Sequence, residues 1–149
     1  MSGKNTRNLY ALGKMELDKS INYWLNAKKV DEAKEKVMTG DFVKSTENDL
    51  EKLKLLEIKK EETVLDFGCG IGRLTQPISK ECKEIVGVDI SGDMIAHATD
   101  YCDSENISFK QLNNEEGDGL IIELIDKAFS FIVLQHVSKP KAFRILFNI

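Results

Sequence analysis

The residues best suited to chemistry stand in one stretch, Val64-Leu65-Asp66-Phe67-Gly68-Cys69-Gly70-Ile71-Gly72-Arg73, followed after one helix-length by Ile85-Val86-Gly87-Val88-Asp89-Ile90-Ser91. Glycines at Gly68, Gly70 and Gly72 let a backbone turn tightly and approach a ligand, and a helix opening behind them presents unsatisfied N–H groups. A dinucleotide site spaces its glycines G-x-G-x-x-G to seat a pyrophosphate on such a helix end. Here the spacing is G-x-G-x-G and Asp66 stands before it. A carboxylate in that place repels a pyrophosphate and welcomes an ammonium or sulfonium. Asp89, about 20 residues beyond the loop, is placed to accept hydrogen bonds from both hydroxyls of a ribose.

These groups need a frame that brings two strand ends together. Short β-branched runs alternate with amphipathic stretches. We read strands at Thr63–Phe67, Glu84–Asp89, Ile107–Lys110 and Phe129–Leu134, with helices at about Gly72–Cys82 and Gly92–Cys102, a short one within Gly119–Ile125, and a last one from about Pro140. Strands alternating with helices predict an α/β, Rossmann-like, doubly wound and mainly parallel sheet. Upstream, Leu17, Ile21, Trp24, Leu25, Val30, Ala33 and Val37 sit at helical spacings, and Ser45-Thr46-Glu47-Asn48 can cap a helix carrying Leu50, Leu53 and Leu56. We therefore divide the chain into an N-terminal helical cap or lid, residues 1–46, and the sheet domain, residues 47–149. Tyr10, Tyr23 and Trp24 either close over the site or pack the cap onto the sheet.

With 149 residues and 42% hydrophobic composition the chain builds one core. Its net charge of −4 argues against nucleic acid as a partner, because such binders concentrate basic charge on one face. No apolar run reaches the roughly 20 residues of a membrane span, so a cytoplasmic protein with no membrane partner is expected. Cys69, Cys82 and Cys102 are odd in number and lack metal-ligand spacing. Free thiols in a reducing compartment explain them best, and no metal site is expected.

Val64–Arg73, Val86–Ser91 and Phe131–Val137 together resemble the successive motifs of class I S-adenosylmethionine-dependent methyltransferases, in the branch acting on small molecules. The resemblance covers about Leu50 to Ile149 and is densest from Val64 to Met94. It implies S-adenosylmethionine as cofactor, with Asp66, Gly68, Cys69, Gly70 and Gly72 around its methionine part and Asp89 on its ribose. It also implies Ile90 and Met94 against the adenine, and a polar residue after the third strand, Asn113 or Asn114, at the adenine amine. Two departures stand out. The row after the third strand reads Gln111-Leu112-Asn113-Asn114 where the family usually shows an acidic residue, and Phe129 is followed by Ser130 where an aspartate is usual. The family's fifth to seventh strands have no counterpart after Ile149, so the chain is expected to hold the cofactor-binding half of that fold.

Methyl transfer displaces a carbon already activated by the sulfonium, so the protein's main work is to align the acceptor and exclude water. A base is needed only where the acceptor carries a proton near neutral pH. His136 is the candidate catalytic base, with Gln135 beside it as a contact to cofactor or acceptor; His97 is expected at the surface. The acceptor is expected to be a small molecule or a protein side chain. The alternative is a truncated, non-catalytic domain that binds the cofactor or dimerises through an exposed sheet edge in the region Phe129–Ile149. A nicotinamide-dependent oxidoreductase is disfavoured by the loop spacing and by Asp66.

Overall fold

The computed structural model describes residues 41–113 and 124–142. The expected cap, its aromatic residues, the helix within Gly119–Ile125 and Asn114 fall largely or wholly outside the described residues. The described chain opens with helix α1, Phe42–Leu53. Its N-cap is Asp41, whose side chain accepts from Val43 N at 3.0 Å and Lys44 N at 3.4 Å. A carboxylate there satisfies two orphan amides of the first turn. Ser45 to Asn48 thus lie inside the helix and do not cap it, and the expected boundary at 46/47 falls within it. Thr46, within hydrogen-bond reach of Phe42 O, turns its hydroxyl back onto the preceding turn. A short 3-10 turn, Lys54–Leu56, ends the segment at Glu57, which takes a left-handed φ of 48°.

Four parallel strands follow in the spatial order β3-β2-β1-β4: β1 Thr63–Phe67, β2 Glu84–Asp89, β3 Ile107–Gln111 and β4 Lys127–Phe129. Between them lie α2, Thr75–Ile78, running into a 3-10 turn Ser79–Glu81, and α3, Gly92–Tyr101. The first three strands and α3 match the sequence expectation closely. The helix expected over Gly72–Cys82 is shorter, because residues 71–74 form turns ahead of α2.

The strands read as continuous apolar runs because both faces of the central pair are covered. On one face Val64 and Ile85 pack with Leu53, Leu74, Ile78 and Phe129; on the other Leu65, Phe67, Val86 and Val88 pack with Leu112. Val64, Leu65, Ile85 and Val88 have no solvent exposure, and each such burial contributes roughly 1.5–3 kcal/mol. Alternation along β1 puts Asp66 on the face of Val64, beneath α2.

The fourth strand departs from expectation. It spans Lys127–Phe129, pairing Val64 with Lys127 and Asp66 with Phe129. Phe131 to Val133 leave the sheet, Ile132 has a φ of 62°, and Leu134–His136 form a 3-10 turn. The strand expected over Phe129–Leu134 is therefore cut short at Phe129, and the rest of the run folds back as one wall of a cleft. The chain steps from β1 to β2 to β3 on one side and then crosses to β4 on the other. That reversal opens a crevice at the carboxyl ends of the strands.

Candidate cofactor site

The loop after β1 is built by three glycines with positive φ, Gly68 at 80°, Gly70 at 55° and Gly72 at 79°. Gly68 N and Cys69 N both donate to Val88 O, at 2.7 and 2.9 Å, which ties the loop to β2. A Cβ on Gly68 would lie 2.2 Å from Val133 Cγ2, so the missing side chain lets the segment after β4 press onto the loop. Gly70 N donates to Asp89 Oδ2 at 2.9 Å, and Ser91 N donates to Asp89 Oδ1 at 2.9 Å. Asp89 is thereby clamped between loop and helix. The cap of α3 is Ser91, whose side chain accepts from Met94 N at 3.3 Å.

A cleft of about 150 Å³ opens at the crevice. Asp66, Gly68, Cys69, Gly70, Asp89, Ile90, Met94 and His136, all expected from the sequence, line it. Gly72, Asn113 and Gln135 are not among its lining residues. Gly72 is buried in the interior instead, where a Cβ would meet Cys102 Sγ at 2.5 Å. Asn113 is exposed one residue beyond Leu112, whose amide is tied to Asp89 O at 2.8 Å and whose side chain turns into the cleft. Gln135 is exposed, with Nε2 3.1 Å from His136 Nε2.

Phe67, Leu74, Leu112, Phe131, Ile132, Val133, Val137 and Arg73 also line the cleft, where the sequence assigns them no ligand contact. An apolar run reads as strand or core by type alone, and only the turn at Ile132 makes it a wall. Arg73 is nearly buried and reaches Asp49 Oδ2 of α1 at 2.9 Å, with Thr46 Oγ1 3.5 Å from its other terminal nitrogen. The pair joins α1 to the glycine loop. His97 is also placed differently from expectation: its Nε2 is buried and has no hydrogen-bond partner.

Burial governs the titrating groups. It pushes Asp66 up to about 7, against a hydrogen bond from Thr75; Asp89 adds to the rise and Arg73 opposes it. Burial also raises Asp89, while the backbone N–H groups of Ser91, Gly70 and Ile90 pull it back. The Cys69 thiol is held well above its usual range, first by burial and then by Asp66 and Asp89, and Cys102 is pushed up to about 12, mainly by burial. All three cysteines are free, and these two are poor nucleophiles. Burial lowers His136, leaving a neutral imidazole at pH 7. Among the described residues no group of three or more His, Cys, Asp or Glu is arranged to hold a metal, and no helix is long and apolar enough to cross a membrane.

A parallel sheet whose switch point carries a glycine loop and a clamped carboxylate on the neighbouring strand defines a Rossmann-like nucleoside-cofactor domain. A family model described as a methyltransferase domain matches residues 64–149, and the chain belongs to that family. Phosphoethanolamine N-methyltransferase 1 of Haemonchus contortus, solved with phosphoethanolamine and S-adenosylhomocysteine, aligns over 91% of this chain and 29% of its own, with a TM-score of 0.69 and 18% identity. Magnesium protoporphyrin IX methyltransferase of Synechocystis PCC 6803, solved with bound S-adenosylmethionine, aligns over 85% and 62%, with a TM-score of 0.57 and 17% identity. Both likenesses are of fold. In sequence, the chain is 39% identical over 62 residues to the 23S rRNA (uracil(1939)-C(5))-methyltransferase RlmD of Vibrio cholerae serotype O1. That match spans 42% of this chain and 13% of the relative's length.

Proposed function

We propose that this chain binds S-adenosylmethionine in the cleft and serves methyl transfer to a small molecule or an exposed protein side chain. The observation that carries the reading is the setting of Asp89. Its Oδ2 accepts from Gly70 N and its Oδ1 from Ser91 N, so backbone amides hold the carboxylate with both oxygens available to a vicinal diol. Ile90, Met94 and Leu112 line the cleft beside it, an apolar slot suited to a purine. The residues fit the cofactor: Asp89 would take the ribose, these three the adenine, and the loop from Asp66 to Gly70 the methionine end.

Bound there, the cofactor supplies a methyl carbon already activated by its sulfonium. The chain's own part is placement and exclusion of water. Phe131, Ile132 and Val133 form an apolar wall opposite the loop, which lowers the local dielectric around a transferring group. His136, neutral and half-buried in the same cleft, is the residue able to take a proton from an acceptor that carries one. An acidic chain of net charge −4 supports a small-molecule or protein acceptor over RNA, and three free thiols support a reducing compartment such as the cytoplasm.

Isothermal calorimetry with S-adenosylmethionine and S-adenosylhomocysteine tests the binding. A screen of small-molecule, protein and RNA acceptors with labelled methyl donor then tests the transfer. Absence of binding by either compound at millimolar concentration would remove the cofactor reading. Label entering RNA alone would overturn the acceptor class.

A further inference from the structure

Asp66, next to last in β1, and Asp89, at the end of the adjacent β2, line the same cleft, yet they are held in opposite ways. Asp89 has backbone amides on both oxygens. Asp66 is 3% exposed and has one donor, the hydroxyl of the fully buried Thr75, at 2.7 Å from Oδ2. Among the described residues no donor reaches its Oδ1. The charged and titrating groups around it supply no dedicated cation. Asp89 from β2 repels it, and Arg73, ahead of α2, is committed to Asp49 of α1. Cys69 in the loop and Cys102 after α3 are neutral thiols, and His136 across the cleft is a neutral imidazole.

A buried carboxyl with one donor and no counter-ion keeps its proton until positive charge arrives. We propose that Asp66 is a proton-linked receptor for the cationic part of the ligand, releasing its proton to solvent as that part enters, and that Thr75 is the positioning residue that holds the carboxylate so formed. The O–H bond of Asp66 breaks, the proton passes to water, and no covalent bond forms with the ligand. The inference rests on the S-adenosylmethionine reading, because that ligand brings both a sulfonium and an ammonium, whereas S-adenosylhomocysteine retains only the ammonium.

Calorimetry on the full chain between pH 5.5 and 8.5, in buffers of differing ionisation enthalpy, counts the protons released on binding. For S-adenosylmethionine the release approaches one proton at the acid end and vanishes at the alkaline end, and affinity rises by about tenfold per pH unit below the apparent pKa. The release is smaller for S-adenosylhomocysteine. Asp66→Asn abolishes it, and the difference from wild type cancels protons exchanged by the ligand itself. Thr75→Val moves the half-release point to higher pH, because the ionised form loses its donor, and Thr75→Ser restores it. A wild-type affinity independent of pH, or equal proton release with Asp66→Asn, overturns the proposal while leaving the cofactor reading intact. Failure of both compounds to bind at every pH overturns that reading, and this one with it. The wild-type profile carries the test even where a variant does not fold.

Discussion

The two walls of the cleft are made by different means. One, from β1 through the glycine loop to β2, is fixed by backbone hydrogen bonds: Gly68 and Cys69 to Val88 O, Gly70 to Asp89, Ser91 to Asp89. The other, from Phe131 to Val137, is held by side-chain packing and includes Ile132 with a left-handed φ of 62°. A β-branched residue seldom takes that conformation, so it is kept there by its neighbours. The first wall specifies its own shape, and the second borrows its shape from the first. Val133 meets Gly68 at the seam.

The largest effect is expected where the polar wall is tied to α1. Asp49→Ala leaves the Arg73 guanidinium buried without its partner, which costs about 3–5 kcal/mol; chemical denaturation should show the loss, and an unchanged midpoint would mean that α1 is not anchored there. Next comes pH. Asp66 is held up to about 7 against an ordinary 3.8, so the native state keeps a proton that the unfolded chain has already released. Stability without ligand therefore falls as pH rises from about 4 through 7, by on the order of 3 kcal/mol. Thermal melts across that window should flatten with Asp66→Asn.

Gly68→Ala strikes the seam. The new Cβ would meet Val133 at 2.2 Å from a residue with φ of 80°, and strain with overpacking should cost about 2 kcal/mol. Pairing it with Val133→Ala should recover part of the loss, and strict additivity of the two would show that the walls do not touch. Asp89→Ala acts on binding: loss of its acceptors should weaken S-adenosylmethionine by about 1–3 kcal/mol in calorimetry, and unchanged affinity would remove Asp89 from the site. The smallest effect belongs to the apolar wall. Ile132→Gly relieves the left-handed conformation of a residue that is 55% exposed and should stabilise the fold by up to about 1 kcal/mol, readable as a higher melting temperature.

What the amino-acid sequence determined by itself is the wall governed by local rules. Strands of β-branched residues, positive-φ glycines at fixed spacing and a carboxylate at the end of the next strand are all legible within about 30 residues, since turn geometry and strand length are short-range properties. Hence Thr63–Phe67 and Glu84–Asp89 are strands as read, and Gly68, Gly70 and Asp89 meet as their spacing implies. The start of α1 is ambiguous in the sequence because Asp41, Ser45 and Thr46 are all competent caps, and the structure uses Asp41, with Leu53 packed against Val64. Tertiary structure alone decided the rest. Phe131 to Leu134 carry a strand's composition, yet β4 ends at Phe129, and the run turns back to pack on the loop. Gly72 lies in the interior rather than the cleft, and Leu112 rather than Asn113 faces the site, because each depends on which element lies across from it. The pairing of Asp66 with Thr75 and of Arg73 with Asp49 likewise joins residues from separate elements. Such contacts are set by the packing of helices on the sheet, which no local pattern encodes.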